Sequence, residues 1–425
     1  MSRLDSILGV AKFIASNTSD KINTLNKGIV EVGQINSYSL LQNSCFLSSI
    51  LSGGNTFYRS HLLAGCITML IQQNIPVVIF HSNNNVLVDE LLRYGNTASL
   101  ASIDTHSGNY SPFYGLHNDE ALDLLMDAIP EKFDVKQNAR YYLEAVSDLM
   151  RYSRVSRSFN NYLTCPHNTV LDRIDSLVIS GRINDGQAQS LRSKIMVGQS
   201  EYFKIDSYLH SLSKQMAGAI YNKKSSKKPE SIFNTINQNG VISINIGAGY
   251  NTLYIDFLIE QIKTAINRGK SFLLVLDSLS LSNSEKTKEL IISTGNSVST
   301  IISCDDILSS CGGNEEILLS TIAAAKQFVI FSHSSAASAG KWANVLGEYE
   351  KIEQSTSKTN SRSGDGMGFW SMDVENHSQK SRTVTTSRSR DYIIPPERIV
   401  SLKQGEFFMR SVAFKGIKHG FLLNM

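Results

Sequence analysis

One segment sets the expectations for the whole chain: Gly53-Gly54-Asn55-Thr56-Phe57-Tyr58-Arg59-Ser60. It follows an apolar run and precedes a segment with helical spacing, and this strand–turn–helix order is the context that a phosphate-binding loop requires. Its spacing fits G-x-x-x-x-G-K-[ST], but Tyr58 stands in place of the second Gly and Arg59 in place of the Lys. The Gly matters because backbone N–H groups must wrap closely around phosphates, and a planar guanidinium replaces the compact Lys ammonium poorly. Taken alone, the segment is also consistent with an ordinary strand–turn–helix unit.

The composition limits the classes of protein to consider. A chain of 425 residues has room for two domains, or for one large domain that carries an insertion. The hydrophobic fraction of 41% predicts a substantial globular core, and no apolar stretch is long enough for a transmembrane helix. The net charge of +3 is too small to argue for nucleic acid. Five scattered cysteines without metal-ligand spacing indicate buried thiols in the reducing cytosol.

Short β-branched runs alternate with helical spacing on both sides of a central region, which predicts a mostly parallel sheet flanked by helices. The predicted strands are Phe46–Leu51, Val77–Phe80, Val241–Ile246, Phe272–Asp277, Val298–Cys304 and Phe328–Phe331. In the central region, between Asn118 and Lys228, β-branched runs are replaced by 3.6-residue periodicity. This change predicts an inserted all-helical domain.

These patterns divide the chain into four parts. We expect an N-terminal helix and lead-in at 1–35, the first part of a nucleotide-binding-type α/β domain at 36–117, the all-helical insertion at 118–232, and the second part of the α/β domain at 233–425. The polar segment 353–390 is rich in Ser, Thr and Arg. It predicts either a long loop or a pair of polar strands at an edge, and its composition is compatible with partial disorder.

Asp277 ends the strongest predicted strand, after five apolar residues. In an NTPase, an acidic residue at this point holds Mg²⁺. Such hydrolases usually place a second carboxylate beside it to activate water, but here the neighbour is Ser278, whose hydroxyl is no base near neutral pH. Asp277 is equally consistent with a residue of a strand-ending turn. If nucleotide binds, we expect Mg²⁺ at Ser60 and Asp277, with Asp277 as the catalytic residue, and ATP at Gly53, Gly54, Thr56, Arg59 and Ser60.

Other polar residues give weaker signals. The histidines share no ligand spacing and are interpreted as surface or hydrogen-bonded residues: His81, His106, His117 and His333. Asp305 and Asp306 follow a predicted strand, where paired acids cap a helix more often than they bind a metal.

The order of these features resembles the HerA–FtsK superfamily of hexameric P-loop ATPases, and most of all the coupling proteins of type IV secretion and conjugation. The strand ending at Asp277 resembles the Walker B strand, and the one ending at Cys304 resembles the strand that presents a sensing Gln. Further local matches are Tyr110-Ser111-Pro112-Phe113 before the helical insertion, Phe328 to Gly347, Thr383 to Arg390, Pro395-Pro396-Glu397 and Leu402-Lys403-Gln404-Gly405-Glu406. The resemblance spans roughly residues 36–414 and implies a P-loop (RecA-like) sheet with an inserted all-helical domain.

The departures from the family lie in the nucleotide site. The loop lacks its second Gly and its Lys, the Walker B strand lacks its Glu, and no Gln stands at Cys304. We therefore interpret the chain as a degenerate homologue with weak or no ATP hydrolysis, which serves assembly or substrate recognition in a secretion or conjugation apparatus. One alternative is an active hexameric translocase of DNA or protein. The other is an unrelated small-molecule enzyme on a doubly wound sheet, which an apolar pocket at the carboxyl edge would favour.

The resemblance also implies partners. It implies contacts with proteins of the apparatus, with DNA as the alternative, together with a homo- or hetero-oligomer in the cytoplasm that is recruited to the inner face of the membrane. The candidate partner-binding residues lie in the helical region, where Arg and Tyr are frequent, because these side chains anchor interfaces: Arg140, Arg151, Arg154 and Arg157. Packing of Tyr141 and Tyr142 into the core of that region is the competing interpretation. The small net charge favours a protein partner, because DNA binding needs many cationic contacts.

Overall fold

The structure is a computed structural model that describes residues 20–35, 47–94, 100–163, 167–216, 218–221, 227–247, 251–282, 285–294, 298–362 and 378–422. Residues 1–19 of the predicted N-terminal helix, and the start of the first predicted strand at Phe46, lie outside these residues. Within the described ranges, no helix is both long and apolar enough to cross a membrane.

Twelve strands are described. They are β1 Ile29–Ile35, β2 Ser49–Ser52, β3 Val77–His81, β4 Leu100–Ile103, β5 Val241–Asn245, β6 Leu273–Asp277, β7 Ser299–Cys304, β8 Gln327–Ile330, β9 Glu348–Arg362, β10 Ser378–Tyr392, β11 Glu406–Ser411 and β12 Ile417–Leu422.

The helices begin with residues 20–27 (α1). They continue as α2 Thr56–Gln72, α3 Asn85–Tyr94, α4 Asn118–Ala128, α5 Ala139–Tyr152, α6 Phe159–Leu163, α7 His167–Ile179, α8 Asp185–Gly198, α9 Tyr202–Gln215, α10 Ile232–Asn237, α11 Thr252–Asn267, α12 Glu285–Thr294, α13 Ile307–Ser310, α14 Glu315–Ala324, α15 Ala336–Leu346 and α16 Pro396–Val400. Glu131–Phe133 and Gln199–Glu201 are short 3₁₀ turns.

The main sheet has ten strands in the order β1-β12-β11-β8-β2-β7-β6-β3-β5-β4. All neighbours from β8 to β4 are parallel. β11 runs antiparallel to β8 and β12, and β1 is parallel to β12. The predicted mostly parallel sheet is therefore confirmed, and all six strands expected from the β-branched runs lie in it. The carboxyl ends of β2, β7 and β8 meet at one edge, which is where ligands bind in open parallel sheets.

The apolar runs form strands because both faces of the sheet are covered. Along β3, Val78 and Phe80 pack into one buried cluster, whereas Val77 and Ile79 pack into a second cluster on the opposite face. A strand that is buried on both faces has no polar alternation, which is the pattern of parallel sheets.

The inserted region between β4 and β5 is helical, as predicted. Among its described residues from 118 to 221, helices α4 to α9 occur and no strand does. The chain leaves and re-enters the sheet at one place, because Tyr110 N–H donates to the Ala219 carbonyl (2.9 Å) and Tyr221 N–H donates to the Tyr110 carbonyl (2.7 Å). The buried Tyr110 hydroxyl donates to Gln261 Oε1 on α11 (2.8 Å), which fixes this junction to the sheet layer.

The described residues of the polar segment, 353–362 and 378–390, lie in two strands. Among the described residues, β9 and β10 pair only with each other, in an antiparallel ribbon separate from the main sheet. Of the two alternatives, the described residues show a pair of polar strands, and these strands do not extend the edge of the main sheet. Residues 363–377, which join the two strands, lie outside the described part of the chain.

Candidate functional site

The loop between β2 and α2 is short. β2 ends at Ser52, and α2 begins at Thr56 with Asn55 as its N-cap, whose side-chain oxygen accepts from Phe57 N–H (2.9 Å). Asn is a preferred N-cap residue. Position 58, where the loop pattern has Gly, is Tyr here, and Tyr disfavours a helix less than Gly does. The last five positions of the loop pattern are therefore helical.

The two glycines of the loop bring it close to the strands beside it. Gly53 N–H donates to the Cys304 carbonyl at the end of β7 (3.1 Å), and Gly54 N–H donates to the Ser332 carbonyl after β8 (2.8 Å). Gly53 has φ of +88°, and a Cβ atom there would lie 2.2 Å from His333 Nδ1. Glycine is thus required at position 53 by its positive φ and by the close packing of His333. The N–H groups of Gly53 and Gly54 are both already bonded to carbonyls of the protein.

The Arg59 side chain folds back onto its own loop. It is 1% exposed, and its Nη1 donates to the carbonyls of Gly53 (2.6 Å) and Gly54 (3.0 Å). Its Nη2 donates to Thr56 Oγ1 (3.3 Å) and forms an ion pair with Asp305, which follows β7. Arg59 is therefore hydrogen-bonded to three of the other residues predicted to hold ATP: Gly53, Gly54 and Thr56.

Ser60 and Asp277 meet at a third residue that the sequence reasoning did not identify. The Asn84 side-chain nitrogen donates to Ser60 Oγ (2.9 Å) and to Asp277 Oδ2 (2.7 Å). The Asn84 oxygen accepts from Leu87 N–H at the start of α3 (3.2 Å), which fixes the amide with its nitrogen towards the other two residues. Burial raises the pKa of Asp277, which is 1% exposed. The only sequence signal for Asn84 is its position just after β3, at the same edge as Asp277.

Two buried histidines are hydrogen-bonded to this arrangement, one at Asn84 and the other at Ser52. Nδ1 of His81 accepts from Asn84 N–H (3.1 Å), and burial lowers the pKa of His81 to about 4. His333 lies over Gly53 with its Nε2 3.2 Å from Ser52 Oγ, and burial lowers its pKa as well. Both rings are buried parts of the hydrogen-bond network around the loop.

Tyr58 packs on the far side of the helix start. Its ring lies against Gly405, where a Cβ atom would come within 2.8 Å of Tyr58 Cε1, and it contacts Phe57 edge-on. The ring thus fills space between α2 and the segment that leads into β11. What fills the loop itself is the guanidinium of Arg59.

An open cleft of about 430 Å³ lies beside the loop at the carboxyl edge of β2, β7 and β8. It is lined by polar residues and glycine: Gly54, Asn55, Asp305, Asp306, Ser332, His333, Ser334, Ser335 and Gln404. Asp306 caps the short helix α13 through Leu308 N–H (3.0 Å) and accepts from Ser338 Oγ (2.7 Å). No cluster of three or more metal-ligating side chains occurs among the described residues.

The candidate partner-binding arginines lie on or after α5 in the helical region. Arg140 is ion-paired with Asp123 and Glu144, and Arg151 is ion-paired with Asp148 (3.0 Å) and stacks on Tyr152. Arg154 is exposed just after the helix, and Arg157 is half-buried. Of the neighbouring tyrosines, Tyr141 is exposed and Tyr142 is buried in the core of the region, so each earlier interpretation describes one of the pair.

Comparison with known proteins identifies the fold. No family model matches the sequence, and no curated protein matches it. The bacterial conjugative coupling protein TrwBdeltaN70, in its unbound monoclinic form, superposes with a TM-score of 0.52 over 88% of this chain and 84% of that chain, at 14% identity. The chain has the fold of a conjugative coupling protein.

Two further structures of this coupling protein agree. Its trigonal form in complex with sulphate gives a TM-score of 0.51 over 88% and 85% of the chains, at 13% identity. TrwB in complex with ADP and Mg²⁺ gives 0.50 over 88% and 84%, at 14% identity. VirB4 of Thermoanaerobacter pseudethanolicus also matches, with a TM-score of 0.43 at 10% identity over 89% of both chains. The TrwB superpositions confirm the resemblance noted in the sequence for the fold, that is, a RecA-like sheet with an inserted helical region.

Proposed function

We propose that this chain is a coupling-protein-like component of a type IV secretion or conjugation apparatus that serves assembly or substrate recognition and has little or no ATPase activity. The coupling-protein fold supports the place in such an apparatus. One observation carries the loss of ATPase activity: the guanidinium of Arg59 is bonded to the carbonyls of Gly53 and Gly54 and to Asp305.

The arrangement opposes a phosphate for a physical reason. A phosphate-binding loop turns N–H groups towards its anion. Here the N–H groups of Gly53 and Gly54 donate to protein carbonyls, and their own carbonyls face Arg59. A phosphate would have to displace Arg59 from the loop and break its bonds. We therefore expect ATP to bind weakly or not at all.

Mg²⁺ does not fit the same arrangement. The TrwB structure with ADP and Mg²⁺ makes these cofactors worth testing here. Mg²⁺ needs oxygen ligands at close range, whereas Ser60 Oγ and Asp277 Oδ2 both accept from the nitrogen of Asn84. We infer that this amide takes over the role of joining the two oxygens, so no step of a reaction is assigned to a metal.

The alternative of an active translocase draws on the same residues. Ser60 and Asp277 are held at hydrogen-bond distance from one atom of Asn84, so the pair that would hold Mg²⁺ remains together. A small-molecule enzyme has less support, because the cleft at this edge is open and is lined by polar residues and glycine, where a pocket of apolar side chains would be expected.

Titration calorimetry with ATP, with and without Mg²⁺, decides between the proposed inactive homologue and an active translocase. We expect dissociation constants of about 1 mM or weaker for the wild type. The variant Tyr58→Gly with Arg59→Lys restores the loop pattern, and we expect it to gain binding without hydrolysis while Ser278 remains. Low-micromolar binding by the wild type, or turnover above ~0.1 s⁻¹, would show an active ATPase.

The helical region supplies the proposed partner-binding surface. Arg151→Glu with Arg154→Glu should abolish binding to purified apparatus proteins in a pull-down while the circular dichroism spectrum stays unchanged. Arg192→Glu is a matched control, because Arg192 is also an ion-paired arginine of this region, bonded to Asp175. Tight, strongly salt-dependent binding of the wild type to DNA of random sequence would favour the translocase.

A further inference from the structure

The two long edges of the ribbon formed by β9 and β10 differ in whether another element covers them. Each strand has 15 residues, and a two-stranded ribbon is marginal in water unless something packs against it. Helix α1 covers the base of the β9 edge. Asn23 donates to the Ile352 carbonyl (3.0 Å) and accepts from Ile352 N–H (3.0 Å), and Asn26 donates to the Glu350 carbonyl (3.3 Å). These side chains stand in for a neighbouring strand.

The same bonds reveal which main-chain groups of β10 point outwards. Opposite residues of an antiparallel pair either bond to each other or both point away. The main-chain N–H and C=O groups of Glu350 and Ile352 point away from β10. Those of their cross-strand partners, Arg390 and Arg388, therefore point away from β9. With a two-residue period, Val384 and Thr386 do so too. Residues 383–390 are all exposed, and within the described part of the chain no other element bonds the outward groups of β10. The β10 edge is open.

The open edge is also the cationic one. β10 contains four cations and one acid (Lys380, Arg382, Arg388, Arg390 and Asp391), a net charge of +3, whereas β9 contains three of each (Lys351, Lys358, Arg362, Glu348, Glu350 and Glu353), a net charge of zero. The main-chain groups of Arg388 and Arg390 point outwards, and Lys380 and Arg382 continue the same even spacing in the sequence. The Arg388 side chain is exposed and forms an ion pair with Glu350 of β9, with Nη1 3.4 Å from Oε1. The middle of the strand, Thr383-Val384-Thr385-Thr386, is made of β-branched residues that favour pairing.

We propose that the open edge of β10 binds an extended acidic peptide segment of a partner protein as a third strand. Main-chain bonds to the outward groups would hold the segment, and its carboxylates would lie opposite Arg388 and Arg390, since opposite charges across strands stabilise a sheet. A second copy of β10 is the poorer occupant, because it brings further cations against the same arginines. This surface is separate from the helical region and independent of the nucleotide site.

Fluorescence anisotropy with a labelled peptide of roughly ten alternating Glu and Thr residues tests this directly. A Gln–Thr peptide of the same length and a mixed-sequence DNA duplex serve as competing probes. Thr386→Pro removes one outward N–H without touching the bonds between β9 and β10. Gln354→Pro is its matched control, because Gln354 is the cross-strand partner of Thr386 and its N–H points out of the opposite edge.

We expect the Glu–Thr peptide to bind the wild type at low salt. Its affinity should be at least tenfold lower for Thr386→Pro and for the double variant Arg388→Glu with Arg390→Glu. Its affinity for Gln354→Pro should equal that for the wild type. The Gln–Thr peptide should bind at least tenfold more weakly to the wild type. The proposal is overturned if the acidic peptide does not bind, or if the two proline variants bind alike. It is equally overturned if the duplex binds more tightly than the peptide, or if Thr386→Pro abolishes a self-association of the wild type, which would assign the edge to a second copy.

Discussion

The loop after β2 and the outer edge of β10 differ in where their main-chain groups find hydrogen-bond partners. In the loop, Gly53 and Gly54 donate to the carbonyls of Cys304 and Ser332 and accept from Arg59. Along β10, the outward groups of Thr386 and Arg388 have no such partner among the described residues.

This difference indicates where recognition remains available. A polar group that is already bonded inside the protein must break that bond before it can hold a ligand, whereas an exposed group exchanges only water. At the edge where parallel sheets bind nucleotides, the main-chain groups of Gly53 and Gly54 are already hydrogen-bonded within the protein. The outward main-chain groups of β10 are exposed to solvent.

The largest effect is expected from Arg59→Met, which keeps much of the volume and removes the donors. Because the carbonyls of Gly53, which is buried, and of Gly54 would lose the donor that they share, we expect the free energy of unfolding to fall by about 3 kcal/mol in urea denaturation. The control is Asp305→Asn: Asp305 is 78% exposed, so its ion pair should contribute less than about 1 kcal/mol. Equal effects of the two changes would place the stabilisation in the ion pair and not in the loop.

Acidification should give the next largest effect. The pKa of His81 is about 4 in the folded protein and 6.5 unfolded, so the unfolded state binds the extra proton between these values. Stability should therefore fall by about 2 kcal/mol between pH 7 and pH 5.

The comparison for this prediction is His81→Gln, which should flatten the pH dependence of the unfolding free energy. Asp277 acts in the opposite direction, because burial raises its pKa and its protonation favours the folded state as the pH falls. A steeper loss in the variant than in the wild type would mean that His81 does not control the acid response.

A smaller effect is expected from Asp277→Asn. The new side-chain oxygen can still accept from Asn84, and a buried carboxylate is removed, so the free energy of unfolding should change by less than about 1 kcal/mol or rise. Ser60→Ala is the companion variant, since it removes the other acceptor of Asn84. A loss above ~2 kcal/mol for Asp277→Asn would indicate that the charge itself holds this edge together.

The smallest effect is expected at the thiols. Burial raises the pKa of Cys304 to about 12 and that of Cys311 to about 11, so neither forms a thiolate near neutral pH. Both should resist a disulfide reagent in the native wild type, as mass spectrometry of labelled peptides can check. Because Gly53 N–H is bonded to the Cys304 carbonyl, faster labelling of Cys304 in Arg59→Met would report opening of the loop.

The sequence predicted the frame well because its signal is local. A run such as Val77–Phe80 is apolar at every position, and only a strand buried on both faces needs that. The polar ribbon was harder to assign, since its strands lack an apolar face and were equally consistent with a loop.

The site could not be predicted to the same depth, because its partners are distant in sequence. Arg59 and Asp305 are separated by 246 residues, and Asn84 and Asp277 by 193. The pattern around Gly53 identified the residues that differ from a phosphate-binding loop. It could not indicate that Arg59 turns back onto the loop or that Asn84 joins Ser60 to Asp277, since both depend on how the strand ends come together.

Hydrogen exchange of the Gly53 and Gly54 amides, followed by mass spectrometry of short peptides spanning the loop, tests the central claim most directly. If these N–H groups are bonded to Cys304 and Ser332, they should be protected in the protein alone, and millimolar ATP with Mg²⁺ should leave their exchange unchanged. Rapid exchange in the protein alone, with protection appearing when Mg²⁺ and ATP are added, would contradict the claim and identify a working phosphate-binding loop.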